Sequence, residues 1–216
     1  MSGRFEDYII NASKNGPLDY SHFRTTGASR YSSLMPWHIP DVQAAFLENI
    51  PDAEYILDMT AHIGVDMVNF SILYPYANIT GIEIKEETCN VLQYNLDTYT
   101  QILGRVQGQF RAYCMDSYNL IANNEVEGYD FIYLDPEWGG PEYKNQKYVT
   151  LMLGNKTISS ILEELYYARS KYVVLKAPTN MKFGTIPTRL WSFKKYDVKT
   201  GPRGKVSYNL YFLKPK

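Results

Sequence analysis

Short apolar runs of strand length alternate along this chain with stretches of helical length and period. That alternation points to an α/β domain built on a mostly parallel sheet. Seven strands are expected: Glu54–Met59, Asn78–Ile84, Gln109–Cys114, Tyr129–Asp135, Lys171–Lys176, Trp191–Thr200 and Ser207–Leu213. Helices fit between them at Asp41–Asn49, Val65–Leu73, Glu86–Thr100 and Thr157–Ala168, with acidic residues opening the first and third. The last two strands are separated only by Gly201-Pro202-Arg203-Gly204, which is hairpin punctuation rather than a crossover, so that pair should be antiparallel. Residues 1–35 show little periodicity and are rich in Ser, Tyr and Arg; they read as an N-terminal arm or lid over one domain spanning residues 36–216.

Composition narrows the class. A chain of 216 residues suits one domain, and 45% hydrophobic with 21% charged residues excludes disordered, collagen-like and coiled-coil chains. Two cysteines, Cys89 and Cys114, make no disulfide framework, and with His22, His38 and His62 they do not suggest a four-ligand zinc site; no metal is expected. There is no apolar run of membrane-spanning length and no signal-peptide core, so an intracellular protein without a membrane partner is expected. The net charge of −1 conceals a sharp asymmetry. From Arg169 onward there are 12 Lys and Arg against one Asp, whereas the chain up to Ala168 has 10 against 22 acidic residues. Such a basic block suggests a polyanionic partner such as an oligophosphate or an RNA end; the plainer reading is a solvated edge.

Ligands of open α/β sheets bind at the carboxyl ends of the strands. Acidic residues stand at four successive ends here: Asp58, Glu83, Asp116 and Asp135. Glu83 is placed to accept from both hydroxyls of an unphosphorylated ribose. The stretch Asp58-Met59-Thr60-Ala61-His62-Ile63-Gly64 reaches a single glycine before the next helix, where a dinucleotide fingerprint needs three to bring backbone against pyrophosphate. S-adenosylmethionine, which lacks phosphate and carries a sulfonium and an amino-acid end, suits this acid-rich set. Asp58 would then face the methionine end and Asp116 would accept from the adenine amine. Each acid taken alone could equally be a helix cap or a solvated turn residue.

Asp135-Pro136-Glu137-Trp138-Gly139-Gly140-Pro141 follows directly on an apolar strand and is the most specific segment of the chain. An exocyclic amine on a base is a weak nucleophile because its lone pair is delocalised into the ring. The Asp135 side chain and the Pro136 carbonyl can accept its two N–H bonds and turn the lone pair toward an electrophilic methyl. Trp138 can stack on the base. The competing reading is a Pro/Gly turn with a core tryptophan.

The segment from Asp135 to Tyr143 resembles the Ser-Pro-Pro-Trp-Gly-Gly-Pro-Asp-Tyr segment of the trimethylguanosine synthases, the cap guanine-N2 RNA methyltransferases. The likeness runs from about Ser33 to the C-terminus. Residues 58–70 are similar to that family's Asp-Ala-Phe-Cys-Gly-Val-Gly-Gly-Asn motif, Glu83 falls at its ribose-binding Asp, Cys114-Met115-Asp116-Ser117 matches Cys-Gly-Asp-Phe, and Lys176-Ala177-Pro178-Thr179-Asn180 matches its Leu-Pro-Arg-Asn loop. The resemblance implies a Rossmann-like class I fold over residues 36–216, S-adenosylmethionine as cofactor, and a 7-methylguanosine cap as substrate. It implies Asp135, Pro136 and Trp138 as the catalytic set. Asp58, Thr60, Ala61, Gly64, Glu83, Ile84, Asp116 and Ser117 would meet the cofactor; Trp138, Tyr143, Lys176, Thr179, Asn180, Lys182 and Arg203 would meet the capped RNA. Lys176, Lys182 and Arg203, in the basic block, are the expected contacts to the cap phosphates.

This chain also departs from the pattern. His62 and Val65 stand where the family has glycines, and Glu137 replaces the second proline. Asp135 replaces serine, which brings the motif toward the Asp-Pro-Pro-Trp form of adenine-N6 methyltransferases. Two further readings therefore stay open: an N2-guanine or N6-adenine methyltransferase acting within RNA or DNA, and a non-catalytic cap- or RNA-binding module.

Overall fold

Strand and helix alternate in the computed structural model as the sequence requires. It describes residues 21–26, 38–103, 109–200 and 204–216. The chain divides into two units, Met1–Met115 and Asp116–Lys216.

The first unit holds helix α1 (Ile39–Asn49), strand β1 (Tyr55–Asp58), helix α2 (Val65–Leu73), strand β2 (Asn78–Glu83), helix α3 (Glu86–Leu103) and strand β3 (Phe110–Cys114). Its strands are parallel and lie in the order β3-β2-β1. Ile56 and Leu57 of β1 and Ile79 and Ile82 of β2 are buried with Met67, Val68, Leu92 and Tyr99 of the helices. This is why these strands read as continuous apolar runs rather than alternating ones. Helix α1 starts two residues before the expected Asp41, because Pro40 lies in the first turn, where a missing N–H costs nothing. Helix α3 runs three residues past the expected Thr100.

The expected arm, residues 1–35, lies outside the described residues except for 21–26, and that piece packs on α3. Asn95, fully buried, accepts from the Arg24 N–H at 2.9 Å and donates to the Arg24 carbonyl at 3.0 Å. The same amide donates to the Ile63 carbonyl at 2.9 Å. The Arg24 guanidinium lies 3.7 Å from the Tyr94 ring centre, and Phe23 meets Tyr99 edge-on. Cys89 of α3 and Cys114 at the end of β3 are joined in a disulfide, with 5.6 Å between their Cα atoms. It is a single cross-link, which the two cysteines permit without amounting to a framework.

The second unit holds helix α4 (Tyr118–Ala122), strand β4 (Phe131–Leu134), a 3-10 turn (Pro141–Asn145), strands β5 (Met152–Leu153) and β6 (Lys156–Thr157), helix α5 (Ile158–Tyr167), and strands β7 (Val173–Ala177), β8 (Trp191–Thr200) and β9 (Lys205–Pro215). The order is β4-β7-β9-β8, with β4 and β7 parallel and β7, β9 and β8 antiparallel in turn. The final hairpin is thus antiparallel as expected, and the long strands among the described residues number seven, three in the first unit and four in the second. Helix α4, the 3-10 turn and the β5–β6 hairpin lie outside the expected elements, because all are too short to show a period in the sequence. Helix α5 is capped by the Thr157 hydroxyl, which accepts from the Ser160 N–H at 3.2 Å, and it buries Ile158, Ile161, Leu162 and Leu165. Trp191 packs on it and donates its indole N–H to the Leu162 carbonyl at 2.9 Å.

Candidate active site

In the first unit the carboxyl ends of β1 and β2 are shaped mainly by backbone. Asp58 ends β1 almost fully buried; its Oδ1 accepts from the Thr60 N–H at 3.0 Å and from the Thr60 hydroxyl at 3.4 Å, closing the turn by which the chain leaves the strand. The Ala61 N–H donates to the Ile82 carbonyl at 2.9 Å, pinning the loop across β2. Gly81, opposite Asp58 in the ladder, makes that approach possible. A Cβ there would strike the Met67 sulfur and come within 2.9 Å of the Ala61 Cβ. Gly64 has φ +91°, and a Cβ on it would sit 2.9 Å from the Leu92 Cδ1. Gly81 is not among the expected site residues, although a glycine inside a strand is itself a signal of close backbone approach.

Glu83 ends β2 nine-tenths buried, and its Oε1 accepts from the Lys85 N–H at 2.8 Å. A carboxylate offers about four acceptor positions, so this bond leaves capacity for a ribose diol. Ile84 is 60% exposed and offers an apolar face beside it. His62 holds φ +48°, the left-handed conformation natural to glycine, at a position where the resembling family has a glycine. Val65, at the other such position, is buried, so its side chain does not crowd a ligand. Glycine-tight packing, two strand-end carboxylates and an exposed apolar side chain fit the diol and amino-acid end of S-adenosylmethionine. The one glycine before α2 does not provide for a pyrophosphate.

In the second unit the carboxyl ends of β4 and β7 are built from side chains. Leu134 pairs with Leu175, so the next residue on each strand comes to the same end of the sheet. There the Asp135 Oδ2 meets the Lys176 Nζ at 2.6 Å, with both side chains nearly buried. Burial raises the Asp135 pKa above the usual carboxylate range, and the Lys176 ammonium opposes that rise. Lys176 pairs with Leu210 of β9, which brings Tyr208 alongside on the same face, its ring centre 5.3 Å from the ammonium. Trp138 is half-buried, with its ring 6.2 Å from Tyr208, 5.2 Å from Tyr143 in an edge-on contact, and 5.9 Å from the Lys176 Nζ. Gly139 and Gly140, at φ +91° and +68°, turn the chain after it. The Asn180 side chain fastens the 3-10 turn, donating to the carbonyls of Tyr143 at 2.9 Å and Gln146 at 2.8 Å. Burial also raises the Tyr143 pKa, against the effect of Lys176, so its hydroxyl stays protonated at neutral pH.

The structure thus brings Asp135, Trp138, Tyr143, Lys176 and Asn180 together, with Pro136 buried beside Asp135. Asp116 opens this unit with its Oδ1 accepting from the Tyr118 N–H at 2.9 Å, and Ser117 is buried at the start of α4. Thr179 and Lys182 are exposed on the loop after β7, and Arg203 lies outside the described residues. Lys176, expected at the cap phosphates, is only 4% exposed and paired with Asp135, on the strand face that carries Tyr208. Tyr208 was missed, and nothing local in the sequence distinguishes it from the other aromatic residues of β9.

Among the described residues, no three His, Cys, Asp or Glu side chains are gathered to hold a metal ion, and no helix is long and apolar enough to cross a membrane. The fold is shared with methyltransferases of known structure. A methyltransferase of Pyrococcus furiosus matches with a TM-score of 0.52 at 15% identity, covering 82% of this chain and 82% of that one. The proposed RNA methyltransferase PH1948 of Pyrococcus horikoshii gives 0.53 at 14% identity, over 89% and 92% of the two chains. The proposed methyltransferase yhhF of Escherichia coli gives 0.54 at 16% identity, over 82% and 87%. The fold is thus the Rossmann-like one of S-adenosylmethionine-dependent methyltransferases. Within that class, residues 53–208 match the model of the RNA cap guanine-N2 methyltransferases, and the chain belongs to that family. The uncharacterized protein L320 of Acanthamoeba polyphaga mimivirus is 26% identical over 147 residues, 67% of this chain; the chain spans about half, 54%, of the length of that curated relative.

Proposed function

We propose that this protein transfers a methyl group from S-adenosylmethionine to the exocyclic N2 amine of a 7-methylguanosine RNA cap. The observation that carries the reading is the buried Asp135–Lys176 pair beside the half-buried Trp138, on the loop that follows β4. The first unit's candidates for holding the cofactor are Asp58, Thr60, Ala61, Gly64, Glu83 and Ile84, and the second unit's are Asp116 and Ser117. When bound, the cofactor supplies an electrophilic methyl on a sulfonium.

The rest is work for this chain's own residues. The Asp135 carboxylate and the Pro136 carbonyl accept the two amine hydrogens and hold the nitrogen lone pair out of the ring plane. Burial raises the Asp135 pKa, and the Lys176 ammonium at 2.6 Å opposes that rise and so favours the ionised acceptor. Trp138 holds the base flat and shields the amine from water. Orientation supplies most of the rate, so no strong base is needed before attack, and the proton that the nitrogen sheds on gaining the methyl passes to the Asp135 carboxylate.

The test is to incubate the protein with S-adenosylmethionine and 7-methyl-GTP and look by mass spectrometry for one added methyl. Methylation of plain GTP at the same rate would refute the 7-methyl requirement. One observation favours a second reading. The Lys176 ammonium lies 5.9 Å from the Trp138 ring, and a cation there disfavours a second, cationic ring on the same indole. The second reading is a neutral guanine N2 or adenine N6 within an RNA or DNA chain. Poor use of the isolated cap with strong use of an uncapped oligonucleotide would select it.

A further inference from the structure

Two segments of the second unit carry exposed rings, Tyr148 and Phe183, that the site above does not use, with lysines beside them. The Lys182 N–H donates to the Val149 carbonyl at 2.8 Å, and Met181 and Val149 form a parallel bridge. These bonds bring the backbone of the Tyr148–Val149 segment beside the loop that carries Lys182 and Phe183. Phe183 is 97% exposed and Tyr148 is 58% exposed.

The loop tip is held in place by short-range bonds. Gly184, at φ +82°, reverses the chain, and both the hydroxyl and the N–H of Thr185 donate to the Lys182 carbonyl, at 2.7 and 3.3 Å. Asn180 fastens the other segment through its bonds to the carbonyls of Tyr143 and Gln146. Three lysines accompany the rings: Lys182 is next in sequence to Phe183, the Lys147 Nζ lies 5.4 Å from the Tyr148 ring centre, and the Lys144 Nζ lies 5.8 Å from that of Tyr143. Glu137 and Glu142 are the exposed acids nearby in sequence, and Glu142 is engaged by the Asn145 side chain at 2.9 Å.

Exposed flat rings on fixed loops, interleaved with lysines, suit a ligand with π-faces and a phosphate backbone. We infer that Tyr148 and Phe183, flanked by Lys144, Lys147 and Lys182, form a platform for single-stranded RNA that stacks nucleotides adjoining the one methylated. The identity of the adjoining, methylated nucleotide rests on the proposed cap reading, whereas the platform itself does not.

The test uses the full chain, a fluorescein-labelled uncapped ten-nucleotide oligouridylate, a duplex of equal length, and 7-methyl-GTP with S-adenosylmethionine. The variants are Tyr148→Ala with Phe183→Ala, and Phe183→Trp. Stacking of this kind predicts that the double variant binds the single strand about ten- to a hundredfold more weakly, while Phe183→Trp binds like the native chain. Methylation of 7-methyl-GTP by the double variant should be unchanged. Equal single-strand affinity in the native chain and the double variant would overturn the inference, as would native binding of the duplex as tight as that of the single strand. Parallel loss of 7-methyl-GTP methylation would also overturn it, by placing the rings in the base pocket instead. If the native chain binds the oligonucleotide through these rings but never methylates 7-methyl-GTP, the cap reading fails and the platform stands.

Discussion

The carboxyl ends of β1 and β2 and those of β4 and β7 are built on different principles. At the first, shape comes from backbone: Asp58 and Glu83 each spend an oxygen on the chain's own N–H groups, and Gly81 lets the Thr60–Gly64 loop lie tight against β2. At the second, side chains from three strands and a turn converge: Asp135 pairs with Lys176, the Lys176 ammonium lies near the Trp138 and Tyr208 rings, and Trp138 meets Tyr143 and Tyr208. A backbone-built site should be sensitive to added volume and tolerant of changed chemistry; a side-chain-built site should be the reverse.

Mutations at each end can break that contrast. The largest effect is expected from Asp135→Asn, which keeps the volume and removes the charge. Turnover should fall by roughly 100- to 1,000-fold, as for loss of one preorganised polar group, while S-adenosylhomocysteine binding by calorimetry stays near native. A matching loss of cofactor affinity would refute the division of labour. Next is Gly81→Ala, one added methyl against Met67 and Ala61. Overpacking predicts about 1–3 kcal/mol lost in denaturant unfolding, together with weaker S-adenosylhomocysteine binding. Native affinity in that variant would show that the loop's close approach does not shape the cofactor end.

Trp138→Ala should raise the KM for the base-bearing substrate about tenfold, the usual worth of one stacked base, with cofactor affinity unchanged. The smallest effect is a displacement rather than a loss. Asp135 already titrates above the ordinary carboxylate range because it is buried, and Lys176 holds it back from rising further. Lys176→Met removes that restraint. The acid limb of the pH–rate profile, where ionised Asp135 is required, should therefore move to higher pH, with activity recovering toward alkaline pH. An unmoved limb would mean that Lys176 is only a packing residue.

Much of this was legible from residues in a row. Helix Val65–Leu73 is found at the expected bounds, and the Asp135–Trp138 segment lies at a strand end as expected. These are local facts: apolar period reports which face is buried, and turn chemistry reports where a strand stops. Helix boundaries drifted where a cue is weak, as at Pro40, which can open a helix as well as interrupt one. The burial of Lys176 against Asp135 is not legible in the sequence, because the total charge of a segment says nothing about which way one member points.

Composition and order alone determined the α/β class, the acidic strand ends and the acid-proline-aromatic turn, because each is a pattern within about a dozen neighbouring residues. Tertiary structure alone decided that Asp135 meets a lysine 41 residues away, that Tyr208 joins Trp138, and that Asn95 ties Arg24 to Ile63. Those partnerships depend on strand order and register, and a shift of one residue in β9 would turn Tyr208 to the opposite face of the sheet.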